Sequence, residues 1–259
     1  MNKRTLALTL ACLKARWLKG GRENMKTNFG YCECCEDYTK FHSDTANLRG
    51  GYQCVKCKCV PRERALMKVI NSIYSDLSNI HIHESSPAAR GASLTLRKKC
   101  SNYLSSHYWK DPNYTREPHL NINLEEQNFS DELFDLVITQ DVFEHLPNPT
   151  AAALEIHRTL KPGGFFIQTV PLVNGFNNTQ RWAKLNDDGE IEWFFKPDYH
   201  GNPIDPEGGS PVFWHYGYDL ASKLDAWAGF TSIIVSNQFV DFGIEGPLCE
   251  VIVSHKAKI

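Results

Sequence analysis

The sequence predicts an α/β protein built on a mostly parallel sheet, with a small cysteine-rich module ahead of it. Two observations carry this reading. From residue 79 onward, short apolar runs alternate with helical patterns, as strands and crossover helices do around a parallel sheet. Before them, Cys32, Cys34, Cys35, Cys54, Cys57 and Cys59 crowd into one short stretch of a chain with nine cysteines.

The chain has 259 residues, room for one large domain and a small one. Its 42% apolar and 22% charged residues are ordinary for a globular protein. Lys+Arg of 28 against Asp+Glu of 30 gives a net charge of −2, so there is no strong nucleic-acid signal. No apolar run reaches the roughly 18 residues of a transmembrane segment. Residues 1–27 read as an amphipathic N-terminal helix and linker. Leu6, Leu10, Leu13 and Trp17 fall at helical spacing among basic residues, so residues 1–20 could also make a peripheral membrane contact.

Residues 28–65 form the module. Cys32-x2-Cys35 and Cys54-x2-Cys57 each place two thiols on one turn, and two such turns close a tetrahedron around zinc. Thiolates are the soft ligands zinc prefers, and a module this small needs metal binding to supply folding energy. The expected structural Zn(2+) ligands are therefore Cys32, Cys35, Cys54 and Cys57, in a zinc-ribbon-like fold, with Cys34 or Cys59 as an alternative partner. Such a site implies a reducing compartment, hence a cytoplasmic protein. The basic run Lys56, Lys58, Arg62 and Arg64 reads as a solvated face.

Residues 66–259 form the large domain. Leu66, Ile70, Ile73 and Leu77 mark a connecting helix over 66–78. Strands are expected at Ile80–Glu84, Ser101–Ser105, His119–Leu124, Leu133–Thr139 and Phe165–Val170. The helix Ala88–Lys99 follows a turn that Ser86 could cap. The helix Thr150–Leu160, with Leu154, Ile156 and Leu160 inward, ends at Lys161-Pro162-Gly163-Gly164. Asp219–Ala228 is a helix closed by Gly229, and Ile233–Phe239 with Cys249–Ser254 is a final antiparallel pair. Residues 172–218 are dense in aromatics and leave the carboxyl end of a strand, where open α/β sheets bind ligands. They read as a substrate cap.

No G-x-G-x-x-G follows the first strand. However, the stretch Phe134 to Leu146 (FDLVITQDVFEHL), followed by Glu155 to Gly164 (EIHRTLKPGG), resembles the core of class I S-adenosylmethionine-dependent methyltransferases. The turn His83-Glu84-Ser85-Ser86-Pro87, the preceding cysteines and Tyr199-His200-Gly201-Asn202-Pro203 are similar to a bacterial subgroup of them. The resemblance spans about residues 30–255 and implies a Rossmann-like seven-stranded sheet with its last strand antiparallel. It implies S-adenosyl-L-methionine as cofactor, held by Glu84, Ser85, Ser86 and Gly91 in the first loop and by Ser105 near the second strand. It adds Asn123 and Leu124 near the adenine, with Gln140 and Asp141 near the methionine end. An acid at the end of the second strand, usual in the family, is missing.

Methyl transfer from a sulfonium needs alignment, and an oxygen acceptor also needs a base. The candidates are His200 first, then His145, Asp141 and His215. The resemblance implies a cell-surface glycan or related small-molecule acceptor, and the expected reaction is its O-methylation with a histidine base. The rival readings are a methyltransferase-like binding module without turnover, and a methyltransferase acting on RNA or protein.

Overall fold

The computed structural model describes residues 26–258, apart from 112, 115, 203 and 237. The expected N-terminal helix and its peripheral contact lie outside the described residues. Strands β1 (Lys26–Cys32), β2 (Asp37–Ser43) and β3 (Gln53–Cys54) form an antiparallel sheet, with the short helix α1 (Leu48–Gly51) between β2 and β3. Next come α2 (Pro61–Ile73), β4 (His81–Ser85), α3 (Gly91–Lys99), β5 (Asn102–His107), β6 (Leu120–Asn121) and β7 (Phe134–Gln140). A 3-10 turn over Phe143–His145 leads to α4 (Pro149–Thr159) and β8 (Leu160–Thr169). The long segment holds β9 (Gln180–Arg181), β10 (Ala183–Leu185), β11 (Ile191–Trp193), β12 (Tyr199–His200), β13 (Ser210–Pro211) and β14 (Trp214–His215). The chain closes with α5 (Leu220–Ala228), β15 (Thr231–Val235) and β16 (Val251–His255).

The main sheet has seven strands in the order β15-β16-β8-β7-β4-β5-β6. Strands β6, β5, β4, β7 and β8 run parallel, and β16 lies antiparallel between β8 and β15. This is the Rossmann-like arrangement expected from the sequence. The chain builds outward from β4 through β5 to β6, then returns to place β7 on the other side of β4. That reversal opens a crevice at the carboxyl ends of β4 and β7.

Each sheet face is covered. On one face Ile82, Leu136, Ile138 and Val251 pack with Leu66, Met67 and Ile70 of α2 and with Ala92 and Leu96 of α3. Phe41, Tyr52, Cys54 and Cys59 of the cysteine module belong to that same core. On the other face Val137, Phe166 and Ile252 meet Ala152, Ala153 and Ile156 of α4 and Leu220 and Leu224 of α5.

Several boundaries differ from expectation for local reasons. Helix α2 starts at Pro61, which suits a first helical position, and the Glu63 carboxylate accepts the Val60 N–H at 2.8 Å. Its first turn, read in the sequence as the end of the cysteine module, is helical here, with Pro61, Glu63 and Arg64 buried. Arg64 is wholly enclosed, donating to the carbonyls of Tyr52, Cys59 and Gly243, with its guanidinium 4.5 Å above the Phe41 ring. Lys56 and Lys58 of the basic run are exposed as expected, but Arg62 and Arg64 do not belong to a solvated face. Leu154 of α4 is 50% exposed rather than inward. Ala152 and Ala153 form the contact stripe instead, which lets the helix lie close to the sheet. Strand β8 begins at Leu160, because Gly163 at φ 84 lets Lys161–Gly164 continue through a register shift opposite Phe134 and Leu136. Ser86 does not cap α3; it stands at φ 56, and Arg90 precedes the helix with no side-chain cap. Gly229, at φ 78, closes α5 as expected.

His83 of β4 is fully buried, its Nε2 2.8 Å from Ser106 Oγ and its ring stacked on Phe134. Burial pushes its pKa down to about 3. The unfolded chain takes up this proton near the ordinary value of 6.5, whereas the folded chain refuses it. Stability conferred by the neutral ring is thus present above about pH 6.5 and lost as pH falls towards 3, by up to about 1.4 kcal/mol per pH unit. Urea denaturation from neutral to mildly acidic pH is expected to show this slope, and His83→Gln to flatten it. Equal slopes in the two proteins would exclude His83 as the responsible group.

Candidate functional site

Strand register brings the polar ends of three strands together. Glu84 lies beside Ser105 of β5 and Ile138 of β7, and Ser85 beside Ser106 and Thr139. The Glu84 carboxylate is completely buried. Its Oε1 accepts from Ser93 Oγ at 2.6 Å and from Gln140 Nε2 at 2.8 Å, and Oε2 accepts from Tyr103 OH at 2.7 Å. Burial pushes its pKa up, opposed by the hydrogen bonds from Ser93, Tyr103 and Gln140. Ser105 Oγ lies 2.9 Å from His119 Nδ1. Asn123 Oδ1 accepts from the Glu125 N–H at 3.0 Å, and Leu124 is buried in the second core.

Asp141 directly follows β7, at φ 53. Its carboxylate accepts from Arg49 Nη2 at 2.9 and 2.8 Å and meets Arg62 Nε at 3.0 Å. Both guanidinia come from the stretch that holds the cysteines and the start of α2. Arg49 also donates to the Leu248 carbonyl.

Three residues on, the 3-10 turn carries Glu144 and His145. The Glu144 side chain is 2% exposed, and neither carboxylate oxygen has a hydrogen-bond partner among the described residues. Its Oε1 lies 3.7 Å from His145 Nε2 and 3.5 Å from His200 Nδ1. The two imidazoles meet edge to face at 5.0 Å. His145 Nδ1 is 2.7 Å from the Pro211 carbonyl on β13, the strand paired with the β12 that carries His200. The Glu144 carboxylate raises the His200 pKa against the effect of burial. His215, the remaining histidine candidate, stacks on Trp182 and pairs with Asp198 at 3.0 Å.

The Cys-x-x-Cys turns are built alike. Glu36 at φ 52 and Lys58 at φ 61 follow them, donating their N–H groups to the carbonyls of Cys32 and Cys54. The thiols of Cys32, Cys54, Cys57 and Cys59 all lie within 4.8 Å of one another and could hold a metal ion. The mutual set thus contains Cys59 where Cys35 is expected. Cys35 Sγ stands 3.6 Å from Cys54 Sγ, at the rim of the cluster. Cys34 points away, towards the Glu63 carbonyl.

Residues 95–168 match the family described as "Methyltransferase domain", from the middle of α3 to the end of β8. Residues 95–168 belong to a methyltransferase domain. The chain is similar to an S-adenosylmethionine-dependent methyltransferase from Mesorhizobium loti, at 12% identity and a TM-score of 0.45, covering 74% of this chain and 97% of that one. It is also similar to the 1,6-didemethyltoxoflavin-N1-methyltransferase of Burkholderia thailandensis, at 13% identity and a TM-score of 0.44, covering 76% and 78% of the two chains. No curated protein matches it in sequence.

The end of β7 has charges that could suit S-adenosylmethionine, the cofactor the sequence resemblance implies. The amino-acid end of S-adenosylmethionine is a zwitterion. Asp141 could offer a carboxylate to its ammonium, and Arg49 and Arg62 could offer guanidinium groups to its carboxylate. The Ser85 and Ser86 hydroxyls stand at the adjoining turn. Other expected cofactor residues have internal duties. Glu84 and Gln140 are bound to each other beneath the turn, and Ser105 to His119. Gly91, at φ 51, faces the module: a Cβ there would stand 2.6 Å from Cys59 Cβ. Arg49, Arg62 and Glu144 were not expected from the sequence. The Glu144-His145 adjacency is the one local signal among them; the arginines are far from Asp141 along the chain.

Asp141 and Arg49 are each about four-fifths buried, so their pairing should show as energetic coupling. A double-mutant cycle with Arg49→Ala and Asp141→Ala, read by chemical denaturation, is expected to give about 1–3 kcal/mol. Additive losses would show that the pair does not hold the module to the crevice.

Proposed function

We propose that the protein methylates a hydroxyl oxygen of a small-molecule or glycan acceptor, with His200 as the base. The observation that carries this reading is the buried Glu144 carboxylate between His145 and His200 at the crevice mouth. When bound, S-adenosylmethionine supplies a methyl group on a sulfonium, open to in-line attack. The protein's own residues do the rest. Asp141, Arg49 and Arg62 orient the amino-acid end, and Asp141, committed to two arginines, serves as a positioning residue rather than a base.

The negative Glu144 carboxylate 3.5 Å from His200 Nδ1 favours, in the absence of any cation between them, the tautomer with its hydrogen on Nδ1, which leaves Nε2 as the proton acceptor. Nε2 has no hydrogen-bond partner among the described residues. The acceptor's hydroxyl proton passes to Nε2 as the oxygen attacks. His145, tied to the Pro211 carbonyl, steadies the turn that presents Glu144. Phe194, Phe195 and Tyr199 are exposed on the aromatic segment and offer flat faces of the kind that stack on sugar rings.

The thiol cluster is read as a structural zinc site that folds the module, with Cys32, Cys54 and Cys57 as ligands and Cys59 or Cys35 as the fourth. Thiolate ligation agrees with a reducing, cytoplasmic setting. Among the described residues no helix is long and apolar enough to cross a membrane.

Transfer of labelled methyl from S-adenosylmethionine to a panel of sugars and polyols tests the reading. His200→Gln is expected to lower kcat by about 10²–10⁴-fold with little change in cofactor affinity. Full activity in that variant, or methylation of nitrogen acceptors alone, would contradict it.

A further inference from the structure

The Glu144 cluster poses an electrostatic problem that a single proton does not solve. The His145 ring must donate its Nδ1 hydrogen to the Pro211 carbonyl at 2.7 Å, because a carbonyl can only accept. In a neutral ring Nε2 then carries a lone pair, and it faces Glu144 Oε1, also an acceptor, at 3.7 Å. His200 Nδ1 faces the same oxygen at 3.5 Å. Charge-assisted hydrogen bonds close to about 2.7–2.9 Å, so both separations are too long for a proton held between the groups. They match instead a shared cation. Bonds of about 2.1 Å to nitrogen and oxygen put neighbouring tetrahedral ligands about 3.4 Å apart.

We propose that Glu144, His145 Nε2 and His200 Nδ1 bind a first-row divalent transition-metal ion in the range Mn²⁺ to Zn²⁺. Two imidazoles and one carboxylate suit that class and disfavour Mg²⁺ and Ca²⁺, which prefer all-oxygen shells. The surrounding construction is that of a metal site. The carboxylate is buried with both oxygens unpartnered, and the three donor atoms lie within 4.8 Å of one another. The β12–β13 pair supplies one ligand, His200, and the carbonyl that fixes the tautomer of another, His145. Three protein ligands leave coordination positions open, and the half-exposed His200 puts them on the side open to solvent.

This keeps the O-methylation reading but replaces its base, and it rests on that reading only for what fills the open positions, a hydroxyl oxygen of the acceptor. A cation there lowers that hydroxyl's pKa and takes over the task otherwise given to the free His200 ring.

The test is titration of zinc-loaded protein with Co²⁺, followed by visible absorption, without cofactor or acceptor. One further equivalent is expected to bind, giving the weak bands of nitrogen and oxygen ligation and no sulfur-to-cobalt charge transfer. His200→Gln is expected to weaken binding at least about tenfold, and Glu144→Gln about 100-fold or more. No binding at about 1 mM Co²⁺, or binding that both variants leave unchanged, overturns the site. Should the buried Glu144 variant fail to fold, the half-exposed His200 variant decides, with zinc content and thermal melting as fold controls. Failure of Co²⁺ binding leaves His200 as the base untouched. Failure of methyl transfer to hydroxyls leaves the cation site standing.

Discussion

Two carboxylates three residues apart, Asp141 and Glu144, are buried at the carboxyl end of β7, and the structure around the crevice is arranged to hold them. A charge withdrawn from water is costly unless another charge or several hydrogen bonds replace the solvent. Asp141 is matched by two arginines. Glu144 is matched by two imidazoles that stop short of hydrogen-bonding distance. The first carboxylate ties the cysteine module to the end of β7, alongside the core the two share. The second is met from the aromatic segment, which carries His200 and the carbonyl that orients His145.

The module is therefore part of the crevice rather than an appendage. Arg64 ties its Tyr52 and Cys59 carbonyls to Gly243 in the loop before β16. Gly91 lets α3 approach Cys59, and Arg49 and Arg62 reach the end of β7. A metal ion that organises the thiols would also fix these arginines. Metal binding would then set the geometry of the cofactor's charged end from a distance, without chemistry at the metal itself.

Much of this was legible in the sequence because it depends on local pattern. The apolar run of β7 announces a strand buried on both faces, and Gly229 announces a helix end. The antiparallel final pair follows from a connection too short for a crossover. What escaped depends on partners distant in the chain. Arg64 looks like a surface cation until Gly243 is placed beside it. Leu154 looks inward because it is apolar, but two alanines already fill that contact. Glu84 falls at the expected place, yet Tyr103, Ser93 and Gln140 consume it, which no single segment could reveal. The thiol set is ambiguous for a related reason: both Cys-x-x-Cys turns form, and only the packing of the second brings Cys59 inward.

The account stands or falls on whether the charges at the end of β7 receive a cofactor. Isothermal titration calorimetry of the zinc-loaded chain with S-adenosylhomocysteine, repeated with Asp141→Asn, measures this directly. The account predicts one site per chain and at least about tenfold weaker binding in the variant, the loss of roughly one charged contact. Absence of heat at millimolar ligand, or equal affinity in both proteins, would contradict it.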